Sequence, residues 1–194
     1  APTARQSSGS VEGRRWTSPR RGGARAGGNF AGAPMVVRAQ TPMVLCSLLP
    51  ANPDHVKWAF STLPPASMEV AKRLEYLKEK TQIKKIGVLH DPTPYANVQK
   101  AAADKNAADY GLEVVGVEQY KQDDADMSVQ VSKLNAAGAK AILKIGVGGS
   151  TLTIAKNIKQ LGLDLLMLTS VEDLAVFRPV GEVLGDKFFF VAAP

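Results

Sequence analysis

Four short apolar runs begin near residues 84, 112, 140 and 164, and each is followed by a segment with helical spacing. This alternation restricts the fold more than any other feature of the chain. Strands are expected at Lys84–Leu89, Leu112–Gln119, Ala141–Ile145 and Leu165–Leu168, with a short helical piece and a final strand, Phe188–Ala192, after them. A first helix fits Pro65–Lys80, where Val70, Leu74 and Leu77 recur at i, i+4, i+7. A second fits about Pro94–Tyr110, and Gly111 stops it where a left-handed cap is wanted. In the third, Met127, Val131 and Leu134 share a face, Asp124 or Asp126 can cap the start, and Gly138 ends it. The fourth carries Ile154, Ile158 and Leu161 and ends at Gly162. Strands alternating with amphipathic helices predict an α/β fold whose parallel sheet is covered on both faces. Right-handed crossovers make such a sheet doubly wound.

Charge divides the chain. The 194 residues hold 24 basic and 18 acidic side chains, but residues 1–41 contain seven arginines against the single acid Glu12. The remainder is balanced, so it offers no extended basic face to a phosphate backbone and no nucleic-acid partner is expected of it. Residues 1–33 are rich in Arg, Gly and Ser and lack periodicity. A segment of that kind cannot bury enough apolar surface to order itself, and it reads as irregular or disordered. Its Arg–Gly clusters resemble RNA-binding tails, and no apolar stretch follows its charges as in a signal peptide. Residues 34–64 hold three short runs, PMVVR, MVLCSLL and VKWAF, which read as short buried strands and lead through STLPPAS into the repeating units of residues 65–194. No run reaches the ~18 apolar residues of a membrane span. The one cysteine, Cys46, excludes an internal disulfide.

In open parallel sheets, ligands bind beyond the carboxyl ends of the strands. That leaves the loops His90–Tyr95, Tyr120–Asp124, Gly146–Ser150 and Thr169–Asp173. Asp91 follows a strand, as in enzymes with an aspartyl nucleophile, but no second acid adjoins it; Asp91 or Thr93 as a helix cap, with Pro94 in the first turn, is the simpler reading. Tyr95 can offer a small ligand a ring face and a hydroxyl. GVGGS, residues 146–150, does not match G-x-G-x-x-G and reads as a tight turn into a helix. In TSVEDL, a carboxylate can pair with a ligand ammonium, or Ser170 can cap a helix with Glu172 and Asp173 in its first turn. His55 and His90 lack metal-ligand spacing and read as surface or loop residues. QDDAD is half of a calcium loop without the rest and reads as a helix start.

The order of NPDHVKWAFSTLPPASMEVAKRLEYL, KKIGVLHDPTPYANV, GLEVVGVEQYKQDDADMSVQVSKLNAAGAKAIL and GDKFFFVAAP resembles the type I periplasmic solute-binding proteins. The nearest branch is the leucine/isoleucine/valine-binding subunits of ABC importers. The resemblance covers about residues 42–194. It implies two doubly wound lobes around a hinge, a ligand in the cleft, and closure that signals a membrane permease. Residues 65–194 correspond to lobe two and residues 34–64 to a remnant of lobe one and the crossover. The chain is then expected to be part of a longer protein, with an incomplete first lobe whose exposed apolar edges favour weak stability or dimerisation. The resemblance places Cys46, Ser47 and Leu48 at the ligand carboxylate and Tyr95 at the ligand in lobe two. It places Val147 where amino-acid binders carry a second aromatic ring, and Glu172 near the ammonium-binding acid. It implies a periplasmic, non-enzymatic receptor without a cofactor, binding an amino acid or a related aromatic or aliphatic carboxylate or amide. The rival readings are a sensory or regulatory module of the same fold, a flavodoxin-like enzyme domain using Asp91 and GVGGS, and nucleic-acid binding through residues 1–33.

Overall fold

The computed structural model describes residues 37–45, 57–61, 64–146, 148–170 and 174–191. Strands β1 (Met43–Leu45) and β2 (Ala59–Ser61) pair in parallel as a separate ribbon. Helix α1 (Ala66–Lys80) then opens the main unit: β3 (Lys85–His90), α2 (Pro94–Asn106), β4 (Glu113–Gln119), α3 (Ser128–Ala136) and β5 (Ala141–Ile145). Helix α4 (Ser150–Gln160), β6 (Leu166–Thr169), α5 (Leu174–Leu184) and β7 (Phe188–Phe190) complete it. The five strands form one sheet in the order β4-β3-β5-β6-β7, with every pairing parallel. The expected doubly wound α/β class is observed.

Strand period explains how the sheet is covered. Successive side chains point to opposite faces. Ile86 and Val88 of β3, with Leu143 and Ile145 of β5, join a core containing Val70, Leu74 and Leu77 of α1 and Ala96 and Ala103 of α2. Leu89 and Ile142 turn the other way, into a core with Val131 and Leu134 of α3, Ile154 and Ile158 of α4 and Val180 of α5. Each buried leucine or isoleucine contributes ~2 kcal/mol through apolar area removed from water. Gly87 makes room for this second layer. A Cβ there would lie 3.1 Å from three side-chain carbons of Leu134.

Several boundaries differ from the sequence expectation for local reasons. The helix expected through Tyr110 is α-helical only to Asn106, and Ala107–Tyr110 tighten into a 3-10 turn before Gly111, at φ 70°. Neither Asp124 nor Asp126 caps α3. The Asp126 carboxylate accepts from Ser128 N–H at 2.8 Å in a local turn, and Asp124 accepts from Lys121 N–H, also at 2.8 Å. The short helical piece before the last strand is an 11-residue helix, α5. Of the early runs, Val37–Ala39 form a helical turn rather than a strand. In β1 and β2, Val44 is 70% and Phe60 49% exposed, so these strands are not the buried ones expected. A short apolar run does not itself say whether a covering layer exists. Leu161 of the fourth helical stripe is likewise 40% exposed, past the end of α4.

Candidate functional site

The strand order reverses between β3 and β5, which places a crevice beyond their carboxyl ends. The loop after β3 is tightly braced. Thr93 caps α2, its hydroxyl accepting from Ala96 N–H at 3.2 Å, and Pro94 occupies the first helical position. Asp91 is fully buried. One carboxylate oxygen accepts from Thr93 N–H at 2.9 Å and from the Thr93 hydroxyl, and the other accepts from Gln122 Nε2 at 2.9 Å. Asp91 therefore holds loops together, and Thr93 is the cap. His90 is not a surface or loop residue; it is the last residue of β3, buried, with Nδ1 2.8 Å from the Asp91 carbonyl.

The loop after β5 packs against this brace. Gly146 has φ 117°, and a Cβ there would sit 2.6 Å from the Tyr120 hydroxyl and clash with the Asp91 carboxylate. No other residue type fits. Lys144, fully buried, donates to the Gly146 carbonyl at 2.7 Å and to the Thr151 hydroxyl at 2.6 Å. Gly148 and Gly149 lead into α4, which starts at Ser150; the rest of the expected turn includes Val147, outside the described residues.

Tyr95 lies in a polar chain that spans three elements. Arg73 of α1 is fully buried and donates to the Lys144 carbonyl at 3.2 Å and to Gln99 Oε1 at 2.6 Å. That contact orients the Gln99 amide, whose Nε2 donates to Glu69 Oε2 at 2.8 Å and to the Tyr95 hydroxyl oxygen at 2.6 Å. The Tyr95 hydroxyl donates to the same Glu69 oxygen at 3.0 Å and lies 3.1 Å from the Ser170 hydroxyl, just past β6. Burial raises the Glu69 carboxyl above its ordinary value, against the opposing pull of Tyr95, Arg73 and Gln99. Burial pushes the Arg73 guanidinium down to about 10, against the raising effects of Tyr95 and Glu69. Burial and the Glu69 charge raise the Tyr95 phenol. A buried cation and a buried carboxylate are thus joined through one amide, with each polar atom of the link bonded.

Helix α5 spans Leu174–Leu184, and the helix start expected at Ser170 with Glu172 and Asp173 falls on residues 171–173, outside the described ones. Ser170 is buried beside Tyr95, and its carbonyl accepts from the Thr169 hydroxyl at 2.9 Å. Cys46, Ser47, Leu48, His55, Val147 and Glu172 lie outside the described residues. Of the expected ligand contacts, Tyr95 is therefore the one among the described residues. Sequence reasoning missed Glu69, Arg73 and Gln99. Their signal was a polar residue on an apolar stripe: Glu69 and Arg73 flank Val70, Leu74 and Leu77, and Gln99 falls between Ala96 and Ala103. Among the described residues, no group of three His, Cys, Asp or Glu could hold a metal ion, and no helix is long and apolar enough to cross a membrane.

With this geometry in hand, comparison assigns the class. Residues 22–190 match the periplasmic binding protein family, and the chain belongs to it. The match begins inside the Arg- and Gly-rich segment. Among curated proteins, no sequence matches the chain. Solved structures share the fold. A branched-chain amino acid ABC transporter protein from Thermus thermophilus with bound valine superposes at TM-score 0.74 with 20% identity, over 86% of this chain and 44% of that one. An extracellular ligand-binding receptor from Rhodopseudomonas palustris HaA2 gives TM-score 0.72 with 23% identity, over 79% and 43%. A solute-binding protein of an R. palustris ABC transporter, in complex with 4-hydroxybenzoate, gives 0.63 with 19% identity, over 73% and 39%. The chain spans less than half the length of these three proteins. The family and these neighbours are binding proteins, not enzymes.

Proposed function

We propose that the chain supplies the second lobe of an extracytoplasmic receptor for an ABC importer, binding an amino acid or a related small carboxylate or amide by hinge closure. The observation that carries this reading is the convergence of Tyr95 and Ser170, from the loops after β3 and β6, at the carboxyl end of a periplasmic-binding-protein sheet. Clefts of this kind owe specificity to a few polar groups among apolar walls. In this reading Ser47, with Cys46 and Leu48, meets the ligand carboxylate, Glu172 meets an ammonium, and Val147 widens the pocket where a ring would narrow it. The valine and 4-hydroxybenzoate of the two structural neighbours share a carboxylate and differ in the ammonium, so both are chosen as probes. The partner is the membrane permease, which reads the closed state; the chain performs no chemistry on its solute.

The test is a thermal-shift and calorimetric screen of the chain, alone and with flanking sequence that supplies the rest of lobe one. Valine, 4-hydroxybenzoate and their amides are the probes. A ligand that binds only the folded state stabilises it by ~2.7 kcal/mol at one hundred times Kd, and so raises its melting temperature. A saturable rise with one class supports the reading and names the solute. No rise with any probe in the longer chain contradicts it.

A further inference from the structure

The hydroxyl of Tyr95 is already occupied from within the lobe. Its three neighbours are Glu69, Gln99 and Ser170. Those three are 3%, 0% and 0% exposed. Tyr95 itself is half-buried. An oxygen that faces three buried groups contributes little of that exposure, which falls to the rest of the residue. Proton accounting closes the remaining options. Arg73 donates to Gln99 Oε1, so Nε2 faces Glu69 and Tyr95, and both of its protons are used. The Glu69 oxygen that takes a proton from Nε2 also accepts from the phenol, so the single phenol proton goes to Glu69. The two hydroxyl oxygens of Tyr95 and Ser170 lie 3.1 Å apart, and with the phenol proton used on Glu69 the Ser170 hydroxyl is left as the donor of that pair. That oxygen makes three hydrogen bonds and has none left for a solute.

We infer that Glu69 is a positioning residue for the solute site: it holds the Tyr95 hydroxyl inside the lobe, so that a solute meets Tyr95 through the ring and is selected there for an apolar group. This rests on the solute-receptor reading and deepens it. It assigns the carboxylate or amide of the ligand to other groups and makes Tyr95 a wall. It also gives a reason for a buried carboxylate in the first turns of α1, where an apolar side chain would continue the stripe of Val70, Leu74 and Leu77.

The first arm of the test needs no ligand. The full chain, with its four tyrosines 13C-labelled at Cζ, is titrated by NMR, and the Tyr95 signal is assigned by its loss in Tyr95→Phe. In wild type this ring resists ionisation beyond the range of a free phenol. In Glu69→Gln its titration moves down by about one pH unit or more, because the adjacent charge is gone. An unchanged titration overturns the assignment. Should Glu69→Gln fail to fold, wild type decides alone: a Tyr95 ring that ionises like a free phenol overturns it.

The second arm measures affinity for benzoate and benzamide, which share a ring and differ in their polar group. Tyr95→Phe is expected to weaken both by the same factor, under about threefold, and Tyr95→Ala to weaken both by more than about tenfold. A Tyr95→Phe loss above tenfold confined to one probe would mean that the hydroxyl touches the ligand. If neither probe binds wild type while the screened amino acids also fail, the receptor reading falls. The titration still decides where the hydroxyl points.

Discussion

Leu74 and Phe60 are both large apolar side chains in regular secondary structure. Leu74 is completely buried between α1 and the sheet, whereas Phe60, on a three-residue strand, is about half exposed. The same contrast holds between the five-stranded unit and Val44 and Phe60 of the β1–β2 ribbon. In the unit, strand residues alternate between two cores, each roofed by helices. In the ribbon, Val44 and Phe60 remain exposed although the sequence around them is as apolar as that of β3. Hydrophobic period therefore tells which face of an element is apolar, and a second element must be present for that face to be buried. The relatives extend well beyond this chain, and the ribbon is where the resemblance places lobe one.

The sharpest way to break this contrast is Gly146→Val. It forces a branched side chain onto a positive φ and into the Asp91 carboxylate and Tyr120 hydroxyl. A loss on the order of 4 kcal/mol is expected, since strain and overpacking add. Denaturant unfolding of the variant measures it; a loss below 1 kcal/mol would show that the loop can re-form elsewhere. Next comes Leu74→Ala, with a loss of about 3 kcal/mol from transfer and cavity terms. Phe60→Ser and Val44→Thr are expected to stay within ~0.5 kcal/mol, because both side chains are exposed. A loss from Phe60→Ser equal to that from Leu74→Ala would mean the ribbon is covered in solution, and analytical ultracentrifugation would then look for a dimer.

The smallest expected effect is in pH. The Glu69 carboxyl is raised in the folded chain, mainly by burial, so the folded state holds that proton more tightly than the unfolded state does. Its contribution is complete below the ordinary value of 4.5 and is lost as pH rises from there through the folded value. The stability of wild type relative to Glu69→Gln should therefore fall from acid toward neutral pH. Paired thermal melts across that window test it, and a difference that grows with pH contradicts it.

Much of the fold was legible because βα units repeat a local rule. The spacing of Val70, Leu74 and Leu77 located α1, and the end at Gly111 followed from a turn chemistry few other residues supply. Boundaries slipped where local hydrogen bonds competed, as at Asp126, whose carboxylate closes a turn on Ser128 instead of capping α3. The candidate site was only half legible. Tyr95 was singled out because a loop after a strand has a predictable position. Glu69, Arg73 and Gln99 were missed because their role depends on contacts across 26 to 71 residues of sequence. His90 was misplaced for a related reason: one residue more of strand carried it from the loop into the sheet. A polar residue interrupting an apolar stripe is the local trace that such distant contacts leave.

The central claim is that the carboxyl end of this sheet is a solute site with Tyr95 in its wall. An amide NMR titration of the full chain against amino acids, aromatic carboxylates and their amides tests it most directly. The account predicts shifts at residues 91–95, 146–151 and 169–170, together with the other proposed contacts 46–48 and 172, saturating with one solute class. Shifts clustered instead around Lys84, Lys140 and Lys187, at the amino ends of the strands, or no shift with any solute, would contradict it.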